Sequence, residues 1–235
     1  MHKIHRNVAL TLVVLLLVTI PYNLLAFPFS AQSPLKVFFQ HTIDLDSNST
    51  GLVHLHGLSD YIASGILTEL PSSRDAGDIK CAKSEKRPGL TDCTFTGPAP
   101  RVARGKPSDW LRLNATRVSQ GTAHIVVGGR ETRNCRLYFD QPISSLQVAG
   151  HNPVTSLQSV KQMRLWTKQE WNPDFTVTAK WTGGGKLKGR AACEWAELIP
   201  GRIPSLDEAL AFTPAWVELT KADDGLVEVS KAFEI

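Results

Sequence analysis

The chain has 235 residues, 42% of them hydrophobic and 20% charged, with a formal net charge of +4. That balance excludes a disordered polymer and leaves material for one ordinary globular domain. The excess charge is small, and its basic runs at 101–106 and 186–190 lie beside Pro or Gly, so solvated loops are expected and nucleic acid is not an expected partner.

The first element in the chain is an uncharged apolar stretch over residues 8–29. At 1.5 Å per residue it reaches roughly 30 Å, the thickness of a hydrocarbon core. Lys3 and Arg6 precede it and no basic residue follows until Lys36, so residues 1–7 are expected in the cytosol and the remainder in a lumen. A cut after Ala31 would put Phe29 where signal peptidase wants a small residue, and Pro21 and Asn23 interrupt the run. A retained transmembrane helix is therefore expected, not a cleaved leader.

The rest, residues 33–235, reads as strands between turns. In "DFTVTAKW", Phe175, Val177, Ala179 and Trp181 alternate with Thr176, Thr178 and Lys180, the period-2 signature of a half-buried strand. "TGGGKLKG" then connects to "RAACEWAEL". Comparable runs are "LKVFFQHTIDL", "GLVHLHGL", "DWLRLNATRV", "TAHIVVGG", "NCRLYFDQPI", "SSLQVAG", "QMRLWT" and "GLVEVSKAF". About ten short strands predict an all-β sandwich. Two short helices interrupt them: "SDYIASGILTEL", with Tyr61, Ile62, Ile66 and Leu70 along one side, and "SLDEALAF", where Ser205 and Glu208 have capping-box spacing.

Cys81, Cys93, Cys135 and Cys193 make an even set, expected to form disulfides in an oxidising lumen: Cys81 with Cys93 across a small polar loop, and Cys135 with Cys193 on two core strands. Asn48-Ser49-Thr50 and Asn114-Ala115-Thr116 are N-glycosylation acceptors, and strand alternation turns Asn114 to the polar face.

Chemistry-bearing patterns are sparse. His54 and His56 share one side of their strand, as a metal pair would, but a catalytic metal needs a third protein ligand, and the simpler expectation is Val53 and Leu55 inward with both imidazoles in solvent. Asp223-Asp224-Gly225 resembles a metal-bridging aspartate motif and reads more naturally as a turn. The chain contains no G-x-S-x-G and no phosphate loop. Trp181 and Trp195 take inward positions, while Trp110, Trp166, Trp171 and Trp216 are left open between core and surface. No catalytic, cofactor-binding or metal-binding residue is assigned.

Five phrases, "PLKVFFQHTIDLD", "DWLRLNATRV", "RNCRLYFDQPISSLQV", "GRAACEWAE" and "IPSLDEALAFTPAWVELTKADDGLVEV", resemble in order the C-terminal luminal domain of the fungal vacuolar membrane proteases, a multi-pass, zinc-dependent aminopeptidase-like family. The resemblance runs over residues 33–235, and it makes the apolar stretch similar to that family's last transmembrane helix. It implies a vacuolar membrane location and, for the full-length family, a zinc hydrolase whose ligands begin with H-x-D and include a Glu-Glu pair. Neither pattern occurs here, so no metal ligand carries over. The chain is accordingly expected to be a non-catalytic luminal glycoprotein domain, equivalent to a detached protease tail. A peptidase acting with a separately encoded catalytic domain, and a glycan- or peptide-binding module, are the alternatives. The membrane, a peptidase domain and a luminal substrate are the expected partners.

Overall fold

The computed structural model describes residues 5–47, 51–150, 154–182 and 185–235, so Asn48 lies outside the described residues. In chain order the elements are α1 Arg6–Leu25, β1 Leu35–Asp44, β2 Leu52–Gly57, α2 Ser59–Gly65, α3 Pro71–Ala76, β3 Lys80–Lys83, β4 Thr91–Thr96, β5 Leu111–Ser119, β6 Thr122–Gly129, β7 Asn134–Val148, β8 Val154–Trp166, β9 Asp174–Lys180, β10 Lys188–Trp195, α4 Pro204–Phe212, β11 Val217–Lys221 and β12 Val227–Glu234. They fall into two units, one around α1 with Ala215–Glu218, the other Lys36–Pro214 with Leu219–Ile235.

In the first unit, α1 buries none of its side chains and is long and apolar enough to cross a membrane. Its polar groups bond inside the helix, Thr19 Oγ1 to the Leu15 carbonyl at 2.8 Å and Asn23 Nδ2 to the Thr19 carbonyl at 2.8 Å, as a helix without water requires. The apolar sequence runs to Phe29, yet the helix stops at Leu25. Pro28 accounts for this, since it disfavours helical dihedrals at Phe27 and has no N–H of its own. Beyond the helix, the rings of Phe27 and Trp216 meet edge to face at 5.0 Å and Phe29 stacks on Trp216 at 6.3 Å.

The second unit is all-β, as the alternating runs predict. The twelve strands form one hydrogen-bonded sheet whose main path is β3-β4-β2-β1-β12-β10-β7-β9-β6-β5, with β8 added to β7. β1 and β12 run parallel. The sandwich arises because this one sheet folds over through β7. Its first half, to Phe139, pairs with β10, and its last residues, from Ser145, pair with β9. Pro142, which offers no N–H to a ladder, sits between the two pairings, so "NCRLYFDQPI" and "SSLQVAG" form one strand with a changed partner. The layers then face each other: Trp110 lies 5.9 Å from Trp195, and Trp195 Nε1 donates to the Arg130 carbonyl at 3.0 Å. Phe39, Leu55, Ile125, Leu137, Val177 and Val229 fill the space between.

Both disulfides join residues directly opposite on neighbouring strands, Cys81 with Cys93 across β3 and β4 and Cys135 with Cys193 across β7 and β10. Cys135 and Cys193 are wholly buried.

Several expectations shift. β3 and β4 are not foreseen; β3 is exposed along its whole length and so shows no apolar alternation, and β11, which the D-D-G turn suggests as a hairpin partner of β12, pairs with β1 instead. The helix expected over "SDYIASGILTEL" ends at Gly65 and gives way to turns, although Ile62, Ile66 and Leu70 are buried as anticipated. The capping box at Ser205 and Glu208 does not form. Pro204 takes the first helical position, where its fixed φ suits it, so Ile203 becomes the N-cap. Ser205 turns instead to His41, and Glu208 accepts from the Ser72 N–H at 2.6 Å and from the Ser72 hydroxyl, capping α3.

Candidate functional site

Strand β2 carries Val53 and Leu55 into the core, as expected, but its other face is not open to water. The β3–β4 segment covers it. His56 is 2% exposed and His54 is half-buried, which corrects the expectation that both imidazoles face solvent. Register explains how they acquire a partner: Asp92 on β4 lies directly opposite His56, with His54 two residues away on the same side. The carboxylate receives both rings at their Nδ1 atoms, His54 at 3.0 Å and His56 at 3.5 Å, and the rings lie nearly parallel, 14° apart at 5.9 Å. The Ser84 hydroxyl is 3.4 Å from His56 Nδ1, and the Thr42 hydroxyl is 3.0 Å from His54 Nε2. A cavity of about 310 Å³ opens beside them, lined also by Lys80, Lys83 and Lys86.

Burial, opposed by Asp92 and reinforced by Arg87, His54 and Lys86, lowers His56 to about 4. Asp92 is held below the usual carboxylate range: its burial works the other way but is outweighed by the hydrogen bond and charge of His54, then by His56 and Lys86. Near neutral pH the cluster is a neutral His56 facing an ionised Asp92.

A second polar group adjoins it. Glu228 on β12 and Glu194 on β10 are direct cross-strand neighbours, both 1% exposed, a like-charge pairing that needs cations. Arg190 meets Glu228 at 2.9 Å, Arg136 lies 2.6 Å from Glu194, and Lys86 meets Asp224 at 2.8 Å. The Arg136–Glu194 approach is close without the alignment of a hydrogen bond, and Glu194 instead accepts from Asn134 Nδ2 at 3.0 Å. Burial pushes Glu194 up to about 7, with Arg136 and Arg164 pulling against it and Glu228 and Asp224 adding to it. Asp223 and Asp224 sit in a turn closed by the Gly225 N–H on the Ala222 carbonyl at 3.1 Å, as D-D-G suggests. Asp224 is more than a turn residue: it bonds Lys86, lies 3.5 Å from Arg136 and accepts from Gln40.

The chemistry open to these groups is limited by their arrangement. Ser84 and Asp92 both address Nδ1 of His56, whereas a relay needs nucleophile and carboxylate on opposite nitrogens. His54 does have that order, with Thr42 on Nε2 and Asp92 on Nδ1. Thr42, however, lies mid-strand between β2 and β12, where backbone amides are committed to ladders and are not gathered to receive an oxyanion. What the pair of hydroxyl and carboxylate does is fix the His54 tautomer and ring. Among the described residues, His54, His56 and Asp92 form the group whose ligand atoms converge, all within 4.8 Å of one another. The sequence signal for it was the H-x-H; Asp92, on a strand not foreseen, gave none.

His41 is separate. It is fully buried on the opposite face of β1, with Nδ1 3.0 Å from the Ser205 hydroxyl, and burial first, then His54, lowers it to about 4. Asn114 is exposed on β5, as the alternation implied. Trp110, Trp181 and Trp195 are core residues; Trp166 and Trp171 are exposed, the latter under Arg133 at 3.9 Å.

An apolar helix long enough to cross a membrane, followed by a disulfide-braced β domain, defines the class of the chain. Residues 35–229 match the family described as "Vacuolar membrane protease, C-terminal domain", and the chain belongs to that family. It is 40% identical over 268 residues to a vacuolar membrane protease of Aspergillus niger, covering 99% of this chain and 27% of that protein. It is 37% identical to the Aspergillus oryzae protein of the same name (100% and 25%) and 33% identical to that of Tuber melanosporum (100% and 26%). The chain thus spans about a quarter of the length of these relatives. The zinc implied by the resemblance, with its H-x-D and paired glutamates, does not fit the residues here: the convergent group is an H-x-H on one strand and a single aspartate on the next.

Proposed function

We propose that this chain is the luminal, non-catalytic tail of a vacuolar membrane protease, held at the membrane by α1 and serving to present a rigid surface to a peptidase domain or its substrate. The observation that carries the reading is that all four cysteines are paired, Cys135 and Cys193 in the core, directly downstream of an apolar helix with its basic residues on the N-terminal side. The Phe27, Phe29 and Trp216 cluster just past the helix has the composition of an interfacial aromatic belt. The exposed Asn114 side chain suits a glycan.

Expression in a fungal host tests both halves of the proposal. The chain should migrate faster after endoglycosidase treatment, and Asn114→Gln with Asn48→Gln should abolish that change. The purified chain should release no amino acid from unblocked peptides with or without added zinc. Hydrolysis that a chelator removes would make the chain a peptidase instead.

A second reading draws on a cavity of about 290 Å³ lined by Val102, Glu131, Trp171, Trp195, Glu197 and Arg202. An aromatic wall with one cation and two carboxylates suits a peptide or a sugar, and titration of Trp171 fluorescence with peptides and oligosaccharides distinguishes the two.

A further inference from the structure

We propose that His54, His56 and Asp92 form a binding site for one divalent transition metal ion of the zinc class, separate from any catalytic zinc of the protease family. The geometry already approaches a coordination shell. Metal–nitrogen and metal–oxygen bonds of about 2.0–2.1 Å in a tetrahedron place neighbouring ligand atoms roughly 3.3 Å apart. One Asp92 oxygen, Oδ1, lies 3.2 Å from His54 Nδ1 and 3.5 Å from His56 Nδ1, so two edges are in place, and the three residues' ligand atoms lie within 4.8 Å of one another. Modest closure of the histidine pair completes the third.

The surroundings agree. Thr42 Oγ1 lies 3.0 Å from His54 Nε2, placed to accept from an Nε2–H, the tautomer that leaves the Nδ1 lone pair beside Asp92 for the ion. Asp92 is adjacent to Cys93, whose disulfide to Cys81 fixes β4 against β3, so the carboxylate is carried on a braced strand. Two imidazoles and a carboxylate select zinc-like ions over calcium or magnesium, which prefer all-oxygen shells.

The fourth position opens on the cavity with Lys80, Lys83 and Lys86. Lys86 is already paired to Asp224 at 2.8 Å, and the other two are exposed on β3. Their charge raises the cost of a bare cation and favours an anionic fourth ligand, a carboxylate or a phosphate, over water. Such a site would bind a metal together with an acidic group from outside the chain. This inference rests on the cluster alone and holds whichever way the chain is oriented in a membrane.

The test uses the full chain in detergent micelles, stripped with a chelator and titrated with zinc and with cobalt. One equivalent of zinc should bind, the bound cobalt should show the intense visible bands of a tetrahedral centre, and added inorganic phosphate or acetate should change those bands. Asp92→Asn and His54→Gln should each weaken zinc binding at least tenfold while leaving the circular dichroism spectrum and both disulfides intact. Should His56→Gln fail to fold, these two half-buried positions still decide the matter. No saturable uptake by the wild-type chain would overturn the proposal, and so would equal uptake by both variants.

Discussion

At the residue scale, the buried cysteines and the close-packed glycines carry the most predictable energetics. Closing loops of 58 and 12 residues restricts the unfolded chain, so removing the Cys135–Cys193 bridge as a double serine variant should cost about 4 kcal/mol and removing Cys81–Cys93 about 3 kcal/mol, read from denaturant melts. Gly189 on β10 leaves no room for a methyl group, since a Cβ there would press on the Tyr138 carbonyl and the Phe233 ring. Gly189→Ala should therefore lose about 2 kcal/mol, whereas Gly150→Ala, which meets no neighbouring atom, should show only the smaller cost of a side chain at positive φ. The cysteine pairing was legible because Cys81 and Cys93 close a short polar loop and Cys135 and Cys193 stand on two recognisable core strands. The role of Asp92 was not, because a lone aspartate acquires meaning only through the register that sets it opposite His56.

At the element scale, the pattern of alternation located most strands because one face of each is buried, and a period of two cannot then be mistaken. It failed where burial is absent, as in β3; it located β12 but did not reveal that both faces there are covered, with Val227, Glu228, Val229 and Ser230 all buried. Glu228 there looks like a solvent-facing residue in sequence and instead anchors an ionic network. The capping box at Ser205 failed for a related reason: local spacing met the rule, but Pro204 fixed the helix start, and tertiary partners claimed both side chains. Glu208 therefore binds α4 to α3. Glu208→Ala should cost about 1–2 kcal/mol and raise amide exchange at Ser72 in α3 selectively, leaving the amides of α4 itself protected. Equal loss of protection in both helices would contradict that assignment.

At the scale of the whole molecule, the fold's stability depends on pH through groups that oppose one another. His41 and His56, lowered to about 4, refuse protons that the unfolded chain accepts below its ordinary value of 6.5, so their contribution is lost as the pH falls from 6.5 toward 4. Glu194, raised to about 7 from 4.5, keeps a proton that the unfolded chain releases, so its contribution is lost as the pH rises from 4.5 through 7. Two histidines against one glutamate leave net destabilisation in acid. On metal-free protein, His41→Gln should flatten the pH dependence by about 2 kcal/mol between pH 6.5 and 4.5. Glu194→Gln should steepen the loss in acid over the same range, which thermal melts at stepped pH will show. The proposal puts this domain on the far side of the bilayer, on the strength of the basic residues before the apolar helix and the paired cysteines, and protease protection tests that placement most directly. In sealed vesicles with their cytosolic face outward, added protease should leave residues 33–235 intact until detergent is supplied, with no thiol available to a maleimide before reduction. Digestion of the domain in intact vesicles, with free cysteines, would contradict the account.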